Sequence, residues 1–297
     1  MQSIYKDRFI DYLRSEKKMA SNSLDAYNRD VSEFAEFVSS KNTASITDVT
    51  GTEVIAFLHA LKAQDKASST INRKLASIRS FYNFLQREGI VRENPTMNIK
   101  SPKVARKSID YLEIEEIEKL VSAPDDSAKG KRDRAILETM YATGMRVTEV
   151  IDADVVDINL RMGFITCEGA NVARARIVPL GRPARNALLE YLENGRPEMI
   201  KKHPDEEALF VNVNGARITR QGIWKMLKEY GTKAGVEKKL TPNIIRNSFA
   251  VHMLQNGADL KSLQELMGHE DITATQVYLS ATKSRIKDVY DRAHPRA

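Results

Sequence analysis

The sequence predicts a mainly α, two-domain protein: a four-helix bundle over residues 1–92, a basic linker over 93–108, and an α-rich second domain over 109–297 that carries one small β-hairpin sheet. Three observations predict it. Apolar residues in the first hundred positions recur at steps of three and four, the period of a helix face. Residues 93–108 hold two prolines, lose that period and gather four bases between Lys100 and Lys107, as an exposed linker does. Two runs rich in β-branched and aromatic residues, 163–167 and 175–180, flank a Gly-Ala-Asn turn.

Each element follows from local pattern. Phe9, Tyr12 and Leu13 mark the first helix. Leu24, Tyr27, Val31, Phe34 and Val38 follow at steps of 3, 4, 3 and 4, one face of a second helix, with Ser21 and Asn22 as candidate N-caps. Val54, Leu58 and Leu61 give a shorter third. Ile71, Leu75, Ile78, Tyr82 and Leu85 repeat the pattern; Ser68 or Ser69 would cap that helix and Gly89 would end it in a left-handed turn. Leu112 to Val121 reads as a helix with glutamates in its first turn, where the helix dipole favours them. Arg132 to Thr143 reads as another, stopped by Gly144. From Pro183 onward the chain is mostly helical, and it contains no evident internal repeat.

Bulk numbers narrow the function. Hydrophobic residues make up 42% of the 297, enough for two cores, which excludes wholesale disorder. A net charge of +6 and a pI near 9.2 favour a polyanionic partner. The excess is spread, with 15 bases against 12 acids in residues 1–100 and 31 against 28 beyond. A clamp with basic faces on both halves fits that spread, and so does an ordinary soluble enzyme. The single cysteine, Cys167, excludes an internal disulfide and a cysteine-rich metal site, and reads as a small apolar strand residue. The five histidines lack metal-ligand spacing. With no signal core and no membrane-length apolar run, the expected location is cytoplasmic, with no membrane partner.

Residues 263–279 are the most telling stretch. Gly268 ends a helix carrying Leu263, Leu266 and Met267; His269 follows, and Tyr278 lies nine residues later. Arg246 sits in a segment where Thr241 caps a helix and Pro242 occupies its first turn. Asn243 and Arg246, three apart, share a face near that helix start, itself a phosphate-binding position. Arg146 sits between a helix-ending glycine and the start of a new helix. Taken singly, each has a blander reading: an arginine paired with Glu149, a structural histidine, a core tyrosine. Taken together they can attack a phosphodiester. Two guanidinium forks hold the non-bridging oxygens, the imidazole donates to one of them, and the phenol is the nucleophile.

The segments Tyr141-Ala-Thr-Gly-Met-Arg-Val-Thr-Glu149, Arg176-Ile-Val-Pro-Leu-Gly181, Leu240-Thr-Pro-Asn-Ile-Ile-Arg-Asn-Ser-Phe-Ala250 and Leu263–Leu279, in that order and spacing, resemble the tyrosine recombinases of the phage integrase family. Within them the chain resembles the Xer-type site-specific recombinases. The resemblance covers nearly the whole chain, including the ending His294-Pro-Arg-Ala297. It implies a SAM-like core-binding domain ahead of a catalytic domain of the DNA breaking-rejoining fold. Arg146 and Arg246 become the phosphate clamps, His269 a transition-state donor, and Tyr278 the nucleophile that forms a 3′-phosphotyrosyl bond and frees a 5′-hydroxyl. That bond conserves the phosphodiester energy, so strand exchange between two short inverted-repeat sites needs no ATP, metal or other cofactor.

The same resemblance implies contacts to double-stranded DNA by Arg73, Lys74 and Arg79 on the polar face of the fourth helix, by Lys103 in the linker, and by Arg174 and Arg176 around the hairpin. It implies a homotetramer, or a heterotetramer with a paralogous recombinase, on two DNA sites, with a DNA translocase as a candidate activator and chromosome partition as the setting. The last helix, striped by Ile286, Val289 and Tyr290, would dock into a neighbouring subunit.

Two positions depart from the family pattern. The family places a general-acid lysine after a glycine of the hairpin; here Gly169 is followed by Ala170, with no lysine before Arg176. Arg174 can approach the same oxygen, but a guanidinium does not give up its proton. The histidine expected three residues before the second arginine is Asn243, which can hydrogen-bond a phosphate oxygen but cannot relay a proton. The alternative function is therefore a catalytically weakened or inactive DNA-binding accessory protein of the same fold. A monomeric type IB topoisomerase is disfavoured by the tail.

Overall fold

Four helices carry the apolar stripes read from the first hundred residues: α1 (Gln2–Ser15), α2 (Ser21–Ser40), α3 (Gly51–Ala63) and α4 (Ser68–Arg87). The computed structural model describes residues 2–41, 45–102, 108–167 and 175–279. It divides into two units, Met1–Arg106 and Lys107–Ala297. In the first, Phe9, Val31, Phe34, Val38, Val54, Leu75, Ile78, Tyr82 and Leu85 are fully buried and form one core. Aromatic edges meet inside it, with Phe9 against Phe81 and Phe34 against Phe57.

The predicted caps shift by one residue. Ser21 and Ser68 occupy the first helical position, and Ala20 and Ala67 stand at the caps with no side-chain bond. Thr50 builds a full capping box on α3: its hydroxyl accepts from the Thr52 amide while Glu53 accepts from the Thr50 amide at 2.8 Å.

The expected linker is a packed segment as far as Pro102. Asn94 and Thr96 are buried, and Asn94 donates to Asn83 at 2.6 Å. Arg79 donates to the Ile99 carbonyl and Asn72 to the Pro102 carbonyl, both at 2.9 Å. The polar side chains of α4 satisfy a backbone that the prolines keep out of helix. Of the predicted linker, residues 103–107 lie outside the described residues.

The second unit holds α5 (Ile114–Ser122), α6 (Ala128–Thr143), α7 (Val147–Asp152), β1 (Ile158–Asn159), β2 (Phe164–Cys167), β3 (Arg176–Pro179), α8 (Arg182–Asn194), α9 (Arg196–Met199), α10 (Arg220–Lys233), α11 (Pro242–Gln255), α12 (Leu260–Met267) and α13 (Thr273–Gln276). The strands form one antiparallel sheet in the order β1-β2-β3, with Ile165 opposite Val178. Both point into a core completed by Ile136 and Met140 of α6, Leu188 and Tyr191 of α8, Leu227 and Ile245. Strand β1 joins the predicted hairpin as a third strand; two residues are too few to display a period. Cys167 is buried at the end of β2, where burial pushes its thiol up to about 11.

Candidate active site

Two left-handed glycines set the site's backbone. Gly144 (φ 60°) ends α6, and a Cβ there would lie 2.4 Å from the Phe249 ring of α11. Gly268 (φ 62°) ends α12, and a Cβ there would press on the Arg176 guanidinium at 3.0 Å. Only glycine takes that conformation at no steric cost while admitting so close a neighbour. The two turns hold Arg146 and His269 at the ends of their helices.

Arg146 caps α7. Its amide donates to Glu149 Oε2 at 2.6 Å, its Nη1 to Glu149 Oε1 at 3.0 Å, and its Nη2 to the Gly268 carbonyl at 2.7 Å. Its side chain stays 43% exposed. Arg246 rises from the first turns of α11, where Thr241 caps and Pro242 opens the helix as predicted. It is buried, donating to the carbonyls of Gly144 and of Met267 (2.6 Å) and to His269 Nε2 at 3.0 Å. His269 Nδ1 lies 2.8 Å from the hydroxyl of Thr275. The Tyr278 ring lies parallel to the imidazole at 6.5 Å between centroids. Its hydroxyl donates to Asn247 Oδ1 at 3.2 Å, and Asn247 in turn donates to the Asp110 carbonyl at 3.0 Å.

Basic groups dominate the electrostatics of the site. Arg146, Arg176 and Arg246 converge with Glu149 as the carboxylate among them. Burial and then Arg146 lower the Arg246 guanidinium to about 10. Burial and then the three arginines push His269 down to about 4, so the ring is neutral at pH 7. Tyr278 is raised because burial outweighs the pull of Arg246 and Arg146, so the free protein holds a phenol rather than a phenolate. Burial would raise Glu149, but hydrogen bonds from Arg176 and the Arg146 amide outweigh it and hold the carboxyl below its usual range.

The four residues read as clamps, donor and nucleophile are thus brought together in one chain. Asn243 sits exposed at the second position of α11, one turn before Arg246, and makes no side-chain hydrogen bond to the described residues. Two residues expected at the DNA, Lys74 and Arg176, are engaged within the protein. Lys74 is buried and already neutralised, paired with Glu33 and with Asp30 at 3.5 Å. Arg176 is 12% exposed and spent on structure: Nη1 and Nη2 grip Glu149 at 2.7 and 2.9 Å, and Nε donates to the Leu266 carbonyl at 2.7 Å. Arg73 pairs with Asp30 and keeps half its side chain exposed; Arg79 is half-buried against Ile99. Ala170, Lys103, Arg174 and the tail with Ile286, Val289 and Tyr290 lie outside the described residues. Sequence reasoning missed Asn247 and Thr275. Adjacency to Arg246 and a one-turn step back from Tyr278 were the available signals.

Among the described residues no helix is long and apolar enough to cross a membrane, and no group of acids, histidines or cysteines could hold a metal. The family model described as phage integrase matches residues 110–285, and that of the phage integrase N-terminal SAM-like domain matches residues 7–89. Tyrosine recombinase XerD of Oceanobacillus iheyensis is 43% identical over 290 residues, covering 97% of each chain. Among solved structures, the Tn1549 transposon integrase in complex with transposon right end DNA aligns with a TM-score of 0.78 at 18% identity, covering 97% of this chain and 99% of that one. The XerH site-specific recombinase bound to palindromic difH substrate, a post-cleavage complex, aligns at 0.76 and 20% identity, covering 96% and 83%.

Proposed function

This chain belongs to the phage integrase family of tyrosine recombinases, and on that premise we propose that it cleaves and rejoins double-stranded DNA at two short inverted-repeat sites through a 3′-phosphotyrosyl bond on Tyr278. The observation that carries the reading is the convergence of Arg146, Arg246, His269 and Tyr278 on one site, where burial and then three arginines lower His269 to about 4.

A phosphodiester entering this site meets the exposed Arg146 fork first. Arg246 uses three of the five N–H donors of a guanidinium on protein acceptors, which leaves donors for the phosphate. Buried arginines already fixed by carbonyls reorganise little as charge builds on the non-bridging oxygens. The Tyr278 oxygen attacks phosphorus, the bond to the 5′-oxygen breaks, the phenol loses its proton and the 5′-oxygen gains one. Attack by the 5′-hydroxyl of another strand reverses each change, so exchange needs no ATP. Tyr278 leaves Asn247 to reach phosphorus.

The assembly in this reading is a tetramer, of this chain alone or with a paralogue, and the whole-length likeness to Xer recombinases favours chromosome segregation as its setting. A second reading, a DNA-binding accessory protein with weak or no turnover, is favoured by Asn243, which faces solvent near Arg246 with no proton to relay. One experiment separates them. The protein selects its own site from random inverted-repeat duplexes; a nicked version of that site is then incubated with wild type and with Tyr278→Phe. A denaturant-resistant adduct with wild type alone supports the recombinase. Specific binding without an adduct supports the accessory protein.

A further inference from the structure

Thr275 holds His269 from the segment that also carries the tyrosine. Its side chain is fully buried, its hydroxyl lies 2.8 Å from His269 Nδ1, and its carbonyl accepts from the Tyr278 amide at 3.1 Å. The other ring nitrogen, Nε2, is 3.0 Å from Arg246 Nη2. A guanidinium nitrogen only donates, so Nε2 accepts. The ring is neutral, surrounded by Arg246, Arg146 and Arg176. Its one proton therefore sits on Nδ1, and Thr275 accepts it. That tautomer cannot donate from Nε2. Donation to a phosphate oxygen needs the proton on Nε2, which leaves Nδ1 bare and buried against Thr275. A hydroxyl serves both states: it accepts from Nδ1–H, or rotates and donates to bare Nδ1. Valine has the same shape and does neither.

We propose that Thr275 is a positioning residue whose hydroxyl lets His269 exchange tautomers, accepting from Nδ1–H in the free protein and donating to bare Nδ1 when Nε2–H faces a phosphate. The proposal deepens the recombinase reading and rests on His269 acting at the phosphate. The proton balance closes. One proton leaves Nδ1 for water and one reaches Nε2 from water, and the ring stays neutral. Arg246 stays on the carbonyls of Gly144 and Met267, and the incoming phosphate oxygen takes the Nη2 donor in place of Nε2. Because Thr275 and Tyr278 share one helical turn, a shift of the nucleophile reaches the imidazole directly.

The test uses 15N-histidine NMR on full-length Tyr278→Phe protein, free and bound to its selected, uncleaved duplex. The expected result is Nδ1–H at His269 in the free protein and Nε2–H in the complex. Adding Thr275→Val, which leaves Nδ1 without a partner in either form, should abolish the clean switch and leave both tautomers populated free and bound, and Thr275→Ser should restore the exchange. In the Tyr278 protein, Thr275→Val should slow adduct formation about tenfold, the worth of one neutral hydrogen bond, and Thr275→Ser should recover it. The proposal is overturned by Nε2–H in the free protein, by an imidazolium in the complex, or by a Thr275→Val complex that exchanges as the parent does. A slower adduct with normal exchange also overturns it, since packing alone would then explain the loss. If wild type forms no adduct, the recombinase reading fails, and the NMR arm still decides for or against Thr275.

Discussion

Arg176 and Glu149 meet fork to fork, Nη1 to Oε1 at 2.7 Å and Nη2 to Oε2 at 2.9 Å, and the same carboxylate also holds the amide and side chain of Arg146. With its Nε on the Leu266 carbonyl, Arg176 ties the hairpin to both glycine turns of the site.

A lysine at position 176 keeps one charge and loses the planar fork. Arg176→Lys should therefore misplace Arg146 and His269 relative to the phosphate without removing a DNA contact. The expected outcome is an adduct rate lower by roughly a hundredfold, the cost of a displacement near 1 Å, with an unchanged dependence of affinity on salt. A shallower salt slope measured by titration at several ionic strengths would instead return Arg176 to the DNA surface.

His269 gives the fold an acid-sensitive element. Its folded pKa of about 4 lies below the ordinary 6.5, so between those values the unfolded chain binds the proton and the folded one does not. The stability contributed is complete above pH 6.5 and is lost as pH falls toward 4. Burial lowers His252 in the same direction. Unfolding free energy should drop by roughly 2 kcal/mol on His269's account between pH 7 and pH 5. Urea titrations of wild type and His269→Gln check this: the variant should show a shallower decline by about that amount, and parallel declines would refute it.

Lys74 separates structure from DNA contact. Its ammonium joins Asp30, Glu33, Arg73 and Ser77 in a network between α2 and α4, with Asp30 only 1% exposed. Lys74→Met leaves Asp30 with Arg73 and Ser77 but strips Glu33. The expected loss is about 2–3 kcal/mol, somewhat below that for a buried pair with no remaining partner, seen as a lower urea midpoint. The salt slope of DNA binding should not move. Arg73→Ala, which removes a half-exposed charge, is the contrasting variant for that slope.

What the sequence displayed and what it hid follow from range. Val31, Phe34 and Val38, or Ile71, Leu75 and Ile78, announce their helices because their spacing is itself the helix period. The glycine or cap beside Arg146, Arg246 and His269 was legible locally, whereas the roles proposed for them came from the resemblance of the four segments taken together. The pairing of Lys74 was hidden because its acids lie more than forty residues away, and no local pattern records them. The pairing of Arg176 was hidden for the same reason, its partner Glu149 lying on another element. Asn247 and Thr275 stayed hidden because an amide and a hydroxyl acquire chemistry only from what they touch. Whether Ser21 or Ala20 caps α2 turns on one residue of backbone geometry, finer than apolar periodicity resolves.

Asn243 offers the most direct gain. It is exposed near the start of α11, on the face of Arg246 and bound to none of the described residues, so a larger side chain there displaces no packing. An imidazole one turn before Arg246 would reach the same phosphate and could pass a proton, which the amide cannot. Asn243→His should raise the rate of adduct formation at pH 7 by about tenfold to a hundredfold, at or below the low end for general acid–base help. Affinity for the selected site should stay the same, because the added group acts on a proton rather than on binding. The gain should depend on pH, with a dependence near the ordinary histidine range that wild type lacks. Asn243→Gln, which adds length without a titrating group, should give no gain. If histidine and glutamine raise the rate alike, the amide was limited by reach and the proton-relay account fails. If neither does, turnover is limited elsewhere, and the hairpin position of Ala170 becomes the next substitution to make.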